Sequence, residues 1–341
     1  MNLAELHKIA CAMVTPGKGL LAADESSGTI KKRFDAVGIE STPESRRDYR
    51  ELLFRSSEAM SKYVSGVILY DETIRQKAKD GTALVALIQQ SGAIPGIKVD
   101  KGSKPLAACP GEKVTEGLDG LRERLTEYRE LGARFAKWRA VIDIGPGIPS
   151  HTCVVANAHA LGRYAALCQE QDIVPIVEPE VLMDGAHDMD RCYQVTEFVL
   201  KETFEQLYEQ RIALEGMVLK PNMVVPGKKS GQRASVEEVA ERTLKLLKNC
   251  VPPAVPGIAF LSGGQSDEEA TAHLDALNRL GELPWHLTFS YGRALQAAPQ
   301  KAWSGKSENV AAAQRAFTHR ARMNALAALG QWKADLERRA A

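Results

Sequence analysis

Short apolar segments recur along this chain, and each is followed by a loop and then by a stretch with helical periodicity. The apolar runs are nearly continuous rather than alternating, which is typical of parallel strands that are buried on both faces. They lie near residues 19–24, 66–71, 94–98, 135–143, 173–178, 216–220, 257–262 and 285–291. Eight strands that alternate with helices predict an α/β fold, a closed (β/α)8 barrel of the TIM type.

The length of 341 residues fits one such barrel with chain to spare. A typical barrel needs about 250 residues, so we predict one domain over residues 1–341 with an N-terminal segment and a C-terminal helical extension. A doubly wound open sheet is the structural alternative, but no G-x-G-x-x-G follows the first strand. Pro175 lies in the fifth strand without an N–H to donate, so we expect a bulge or irregular pairing there.

Composition and charge exclude several classes of protein. The 44 Lys and Arg residues nearly balance the 43 Asp and Glu residues, whereas a non-specific nucleic-acid binder normally carries a basic excess. No stretch reaches the roughly 18 apolar residues that a membrane span requires. The six cysteines are dispersed without a C-x-x-C pair, which favours buried thiols over a disulfide framework or a zinc site. We therefore expect a cytoplasmic protein with no nucleic-acid or membrane partner.

Charged side chains follow most of the predicted strands, at the end where barrels of this type carry their chemistry. The strand-end residues are Asp24, Asp71, Lys98, Lys137 with Arg139, Glu178 with Glu180, Lys220, Ser262 and Arg293. Because side chains two apart on a strand point the same way, Lys137 and Arg139 share one side, and Trp138 faces the helices. The five cations among these residues outnumber the carboxylates, which predicts a site for a small, multiply anionic ligand such as a sugar phosphate. Structural ion pairs are the alternative for any single pair.

Lys220 follows the apolar run Met217–Leu219, which delivers it into the barrel. Desolvation and neighbouring ammonium groups favour a neutral amine, and a neutral amine can attack a ketone to form a Schiff base. Taken alone, a lysine at a strand end more often extends to water. Glu178, with Glu180 nearby, suits general acid catalysis or simply neutralises a lysine. Asp24 follows small residues that leave room for a ligand, but it could equally cap a helix.

Two glycine-containing turns follow the last two predicted strands. Ser262-Gly263-Gly264 can aim backbone N–H groups at an anion. In the second turn, Gly292 leaves the backbone accessible and Arg293 supplies a planar guanidinium with several donors. In barrels of this type the loops after strands seven and eight are the usual phosphate site. The histidines lack the spacing of a metal site. Lys228 and Lys229 are interpreted as part of a solvated loop.

Seven sequence motifs, in order along nearly the whole chain, resemble those of class I fructose-1,6-bisphosphate aldolase. They are Leu21–Ser26, Gly96–Gly102, Phe135–Arg139, Val174–Glu180, Leu219–Met223, Leu261–Ser266 and Phe289–Leu295. The resemblance implies an aldehyde-lyase of glycolysis and gluconeogenesis that needs neither a metal nor a cofactor.

The resemblance also implies roles for individual residues. Lys220 would attack the C2 ketone of the bisphosphate, Glu178 would dehydrate the carbinolamine, and Lys137 would support that step. Asp24 would accept the C4-hydroxyl proton as the C3–C4 bond breaks, and Glu180 would orient Lys220 and Glu178. The C1 phosphate would be bound by Ser262, Gly263, Gly264, Gly292 and Arg293. The C6 end would be bound by Ser26, Thr29, Lys98 and Arg139, with Lys32 and Arg33 as further candidates.

The family is commonly tetrameric, so the resemblance implies a homo-oligomer. Well-known members end in a tail whose tyrosine assists proton exchange at C3 of the enamine, but no tyrosine follows Tyr291 here. The alternatives are a catalytically silent phosphosugar-binding barrel that acts as a scaffold, and a zinc-dependent lyase. The sequence leaves open the preference among fructose 1,6-bisphosphate, fructose 1-phosphate and sedoheptulose 1,7-bisphosphate, and the direction of the reaction.

Overall fold

Parallel strands close into a barrel in the computed structural model, which describes residues 1–340. Ala341, the last residue of the predicted domain, lies outside the described residues. The strands are β1 Gly19–Ala23, β2 Val64–Leu69, β3 Ile94–Lys98, β4 Ser103–Pro105, β5 Lys113–Thr115, β6 Phe135–Ile142, β7 Val174–Val181, β8 Val218–Leu219, β9 Gly257–Phe260 and β10 His286–Tyr291. Around the barrel the order is β1-β10-β9-β8-β7-β6-β3-β2, closed, and β4 pairs with β5 in a separate antiparallel hairpin. The predicted TIM barrel is confirmed.

The irregular pairing expected at Pro175 does not occur, so that prediction is wrong. The β6–β7 register runs without a shift from Phe135 opposite Val174 to Ile142 opposite Val181. The ladder to β8 begins only at Ile176, so Pro175 stands before the first residue that pairs on that side. The proline therefore costs this ladder no hydrogen bond. A register shift occurs instead between β1 and β2, at Gly19/Leu20.

Helices follow the barrel strands and cover their outer faces, except for the first helix, which precedes β1 and packs against one end of the barrel. They are α1 Leu3–Met13, α2 Ser27–Asp35, α3 Pro43–Phe54, α4 Ser57–Lys62, α5 Asp71–Arg75, α6 Leu84–Gln90, α7 Leu121–Glu130, α8 His151–Glu170, α9 Met189–Glu209, α10 Val236–Cys250, α11 Asp267–Arg279, α12 Arg293–Trp303 and α13 Val310–Ala327, with 3-10 turns at Leu214–Gly216, Ser307–Asn309 and Ala334–Ala340. Side-chain hydrogen bonds cap the N-termini of several of these helices. Thr42 accepts a hydrogen bond from the Ser45 backbone and Ser266 from that of Glu269, which satisfies N–H groups that the first turn leaves free.

None of the helices within residues 1–340 is both long enough and apolar enough to cross a membrane. Cys153, Cys168 and Cys192 are buried free thiols, as the sequence predicts. Cys11 on α1 departs from that expectation, because it is exposed.

The inward-facing side chains at the amino ends of the strands form an apolar cluster with α1. Leu6 and Met13 of α1 pack with Leu20, Phe135 and Val174, and all five are fully buried. The N-terminal helix thus closes one end of the barrel, and charged residues occupy the other. The outward-facing side chains form the larger core between strands and helices. Trp138 belongs to it, stacked on Tyr164 of α8 with ring centroids 5.6 Å apart, which confirms its predicted direction.

The Phe135 ring fills the barrel interior because its neighbours on β2 and β3 are glycines. A Cβ built at Gly66 would lie 2.9 Å from the ring, and one built at Gly96 would overlap it. Protein interiors are close-packed, so an added methyl group at either glycine fits only if side chains or backbone shift.

We predict that Gly96→Ala lowers the free energy of unfolding by about 1–3 kcal/mol, because the new methyl group collides with the Phe135 ring. Gly28→Ala in α2 is the matched control, since no atom lies within 4 Å of its Cβ position and alanine favours helix by about 1 kcal/mol. Thermal unfolding followed by circular dichroism measures both variants. Equal midpoints for Gly96→Ala and wild type would contradict this account of the interior.

Candidate functional site

A cavity of about 270 Å³ opens at the carboxyl ends of the barrel strands. The predicted site residues that line it are Asp24, Ser26, Thr29, Arg33, Lys98, Lys137, Arg139, Glu178, Glu180, Lys220, Ser262, Gly263, Gly264, Gly292 and Arg293. Lys32 does not: it is exposed on α2. Asp71 lies outside as well, at the start of α5, where it forms an ion pair with Arg75 at 2.8 Å.

Four charged side chains of alternating sign form a continuous chain at the base of the cavity. The Lys220 Nζ lies 3.2 Å from Glu178 Oε1, and the Lys137 Nζ lies 3.5 Å from Glu178 Oε2. The Lys137 Nζ also contacts Asp24 Oδ2 at 2.7 Å. The side chains of Lys220, Lys137 and Glu178 are only 4–5% exposed, so these charges face one another rather than water. Pairing of this kind is what makes buried charges tolerable.

The neighbouring charges fix the charge states of two of these four side chains, Asp24 and Lys137. Burial alone would raise the pKa of Asp24, but the ammonium groups of Lys137, Lys220 and Lys98 outweigh burial and hold that pKa well below its usual value. Burial likewise opposes the charged form of Lys137, yet the carboxylates of Asp24 and Glu178 raise its pKa above the usual value. Asp24 is therefore a carboxylate and Lys137 an ammonium group near neutral pH.

Glu178 carries the least satisfied oxygen of the group. Its Oε2 is buried and, among residues 1–340, finds no hydrogen-bond partner. The nearby Lys137 Nζ at 3.5 Å is a charge neighbour rather than a hydrogen-bond donor. A buried carboxylate oxygen in this condition can exchange a hydrogen bond or a proton with a ligand bound beside Lys220.

Glu180 makes a different contact from the one expected. Its carboxylate accepts a hydrogen bond from Arg139 Nε, and among the described residues it forms no hydrogen bond or ion pair with Lys220 or Glu178. Burial opposes the charged form of Arg139, but Glu180 raises the pKa of that guanidinium above its usual value. Glu180 therefore acts on Arg139, and any effect on Lys220 is indirect.

The turn after β9 presents backbone rather than side chains to the cavity. Gly263 and Gly264 have φ values of +54° and +87°, which residues with a Cβ rarely adopt. The Arg293 guanidinium lies 3.3 Å from the position that a Cβ at Gly264 would occupy. The Arg293 guanidinium makes no hydrogen bond or ion pair with any residue that the structure describes. A free guanidinium beside a bare, turned backbone suits a phosphate group.

Ser26 and Thr29 form a second polar group that lines the cavity. Their hydroxyl oxygens lie 3.1 Å apart at the start of α2. Arg33, which the sequence associates with this end, points elsewhere: its guanidinium lies 3.6 Å from the Cβ position of Gly292. Glu25, which is buried, holds it there and also binds Arg50 Nη2 at 2.7 Å. Arg33 therefore belongs beside the Gly292 turn.

Sequence reasoning missed three charged residues that line the cavity, Glu25, Asp184 and Lys228. Lys228 lies exposed in a loop, as the sequence predicts, but its Nζ also reaches the cavity edge, where it pairs with Asp184 Oδ1 at 3.4 Å. One signal could have found Asp184 and Lys228. They follow strands β7 and β8, and loops after barrel strands form the mouth of the barrel.

Seven cationic side chains and five carboxylates line the cavity, a local surplus of positive charge in a chain of net charge +1. They are Arg33, Lys98, Lys137, Arg139, Lys220, Lys228 and Arg293, and Asp24, Glu25, Glu178, Glu180 and Asp184. Within residues 1–340, no group of three or more His, Cys, Asp or Glu side chains is arranged to hold a metal ion.

Comparison with known proteins gives consistent results. The family model described as "Fructose-bisphosphate aldolase class-I" matches residues 5–341. A "Probable fructose-bisphosphate aldolase class 1" from Xanthomonas campestris is 60% identical over 334 residues, which cover 98% of this chain and 100% of that protein. "Fructose-bisphosphate aldolase 4, cytosolic" from Arabidopsis thaliana is 52% identical, with 98% and 85% of the two chains covered.

A solved structure gives the same result for the fold. It is the fructose-bisphosphate aldolase from Plasmodium falciparum in complex with TRAP and a small-molecule inhibitor, which matches with a TM-score of 0.96 and 48% identity over 97% of this chain and 96% of that one. A family match over nearly the whole length and relatives above 50% identity lead to one conclusion: the chain belongs to the class I fructose-bisphosphate aldolase family.

Proposed function

We propose that this protein cleaves fructose 1,6-bisphosphate reversibly to dihydroxyacetone phosphate and glyceraldehyde 3-phosphate through a Schiff base on Lys220. The observation that carries the proposal is the buried contact between Lys220 Nζ and Glu178 Oε1, 3.2 Å long, at the base of a cationic cavity. An amine that faces a carboxyl group has its proton-transfer partner within reach.

The first half of the reaction forms a carbon–nitrogen bond. The Lys220 amine attacks the C2 ketone, and the carbinolamine hydroxyl takes a proton and leaves as water. Glu178 is the proposed acid, and its unpartnered Oε2 supports this role because it is free to contact that hydroxyl. Lys137, held as an ammonium group, stabilises negative charge that develops beside the carbinolamine hydroxyl and Glu178.

The second half breaks the C3–C4 bond. Asp24 accepts the C4-hydroxyl proton, glyceraldehyde 3-phosphate leaves, and the bonding electrons move into the iminium to form an enamine. Protonation at C3 and hydrolysis then release dihydroxyacetone phosphate. The lowered pKa of Asp24 supports its role as the acceptor, because it enters the reaction as a carboxylate. The iminium is the electron sink, so we propose a reaction that needs no metal.

Two groups of residues suited to anions line the cavity that contains Lys220, and they favour a bisphosphate substrate. We propose that the Ser262–Gly264 turn, Gly292 and Arg293 bind the C1 phosphate, joined by Arg33. Ser26, Thr29, Lys98 and Arg139 are proposed for the C6 end. In the same proposal the protein works in the cytoplasm, in glycolysis or gluconeogenesis, as a homotetramer. The name of the Arabidopsis relative, which calls it cytosolic, supports the compartment.

We predict that borohydride reduction in the presence of dihydroxyacetone phosphate attaches the ligand covalently to Lys220. Peptide mapping by mass spectrometry locates the adduct. Lys220→Ala should lose both the adduct and cleavage while it keeps the wild-type circular dichroism spectrum, because no other group replaces the nucleophile. The control is Lys229→Ala, an exposed lysine nearby. An adduct on another lysine, or turnover above about a tenth of wild type in Lys220→Ala, would show that the nucleophile is misassigned.

Asp24→Asn should separate the two halves of the reaction. Trapping of dihydroxyacetone phosphate on Lys220 should persist, whereas the cleavage rate of fructose 1,6-bisphosphate should fall by about 10²- to 10⁴-fold, the usual contribution of a general base. Borohydride trapping and a coupled assay of glyceraldehyde 3-phosphate release measure the two effects. Loss of trapping together with cleavage would instead assign Asp24 to Schiff-base formation.

A chelator should leave cleavage unchanged, because the proposed iminium already stabilises the electrons released from the C3–C4 bond. Steady-state cleavage is measured after incubation with and without excess EDTA, followed by dialysis. A loss of activity that added Zn²⁺ restores would support the zinc-dependent alternative.

A further inference from the structure

The loop after β8 is attached along its backbone to the loop after β7. The Gly227 N–H donates to His187 O at 2.8 Å, the Lys228 N–H to Met183 O at 2.8 Å, and the Lys229 N–H to Gly185 O at 3.0 Å. These three successive backbone hydrogen bonds hold residues 227–229 in one position. The Lys228 side chain therefore starts from a defined point at the cavity edge.

Lys228 and Arg293 converge on the same bare stretch of backbone. A Cβ built at Gly264 would overlap the Lys228 Nζ and lie 3.3 Å from an Arg293 guanidinium nitrogen. Lys228 comes from the loop after β8 and Arg293 from the first residue of α12, after β10, yet both flank one turn. Like charges that converge in this way repel each other unless an anion lies between them.

The present counterion of Lys228 is weakly held. Its only ion-pair partner among the described residues is Asp184, at 3.4 Å, and the two side chains are 42% and 64% exposed. Exposed pairs of this length contribute little to stability. A phosphate dianion offers more charge and three acceptor oxygens, and it would also neutralise Arg293.

We propose that Lys228 is a substrate-binding residue whose ammonium group leaves Asp184 to bind, together with Arg293 and the Ser262–Gly264 turn, the phosphate next to the substrate carbonyl. This inference rests on the proposed function, which assigns that turn to the C1 phosphate. Asp184 holds Lys228 while the site is empty. The pair therefore sets affinity for the phosphate that stays with dihydroxyacetone phosphate, and leaves the C6 phosphate unaffected.

The test compares Lys228→Met with Lys229→Met, a matched neutralisation of the neighbouring exposed lysine. In the condensation direction, Lys228→Met should raise KM for dihydroxyacetone phosphate about five- to tenfold. This loss of affinity is larger than that expected for an exposed ion pair and smaller than that for a buried charge-assisted hydrogen bond. KM for glyceraldehyde 3-phosphate should stay within twofold of wild type. Equal effects on both KM values would indicate a general structural disturbance and overturn the proposal.

A second measurement does not depend on turnover. Calorimetric titration with inorganic phosphate should show weaker binding in Lys228→Met and in Arg293→Met, and wild-type binding in Lys229→Met. Asp184→Asn should tighten phosphate binding for two reasons: it removes a charge that repels the anion, and it releases Lys228 from its counterion. In the Lys228→Met background only the first reason remains, so the gain in affinity should be smaller.

The two measurements separate the two proposals. If the wild type does not cleave fructose 1,6-bisphosphate but Lys228→Met weakens phosphate binding, the proposed function fails and the Lys228 site stands. If the wild type cleaves and Lys228→Met matches Lys229→Met in both measurements, the Lys228 proposal fails and the proposed function stands.

Discussion

The arrangement of charge at the base of the cavity depends on the closure of the barrel. Asp24 follows β1 and Lys137 lies on β6, two strands that are not neighbours in the barrel, yet their side chains touch at 2.7 Å. In an open sheet these strands would lie far apart. Closure brings them together across the interior, where a lone buried charge would be costly and an alternating series is tolerated. The same closure excludes water and so strengthens each interaction.

The two ends of the barrel interior differ in character: one end is an apolar core, and the other carries the charged side chains of the cavity. At the amino ends of the strands, α1, Phe135 and the facing glycines form an apolar filling. At the carboxyl ends, alternate residues of the same strands carry charge: on β6, Phe135 is followed at spacing two by Lys137 and Arg139. The rigid lower part keeps these side chains at fixed distances, which catalysis by preorganised charges requires.

Loops supply the part of the cavity that the strands cannot. The Ser262–Gly264 turn, Arg293 and Lys228 follow β9, β10 and β8, and they meet at one point on the rim. Their positive charge exceeds what the nearby carboxylates neutralise, which makes this part of the rim selective for anions. Asp184 serves as a local counterion for one of these cations. In the proposed exchange of Asp184 for phosphate, the rim would adapt to the charge of the ligand while the buried ion pairs at the base of the cavity keep their partners.

Local patterns in the sequence are enough to predict the barrel, the charged strand ends and the direction of side chains within a strand. Apolar runs of strand length and a period of two are local properties, and they suffice to direct Lys137 inward and Trp138 outward. Tertiary structure decided which charges meet. Glu180 binds Arg139, Arg33 lies beside Gly292, Lys32 stays outside, and Lys228 reaches the rim. These contacts join residues far apart in the chain, and their distances depend on strand stagger and loop path, which no local pattern encodes.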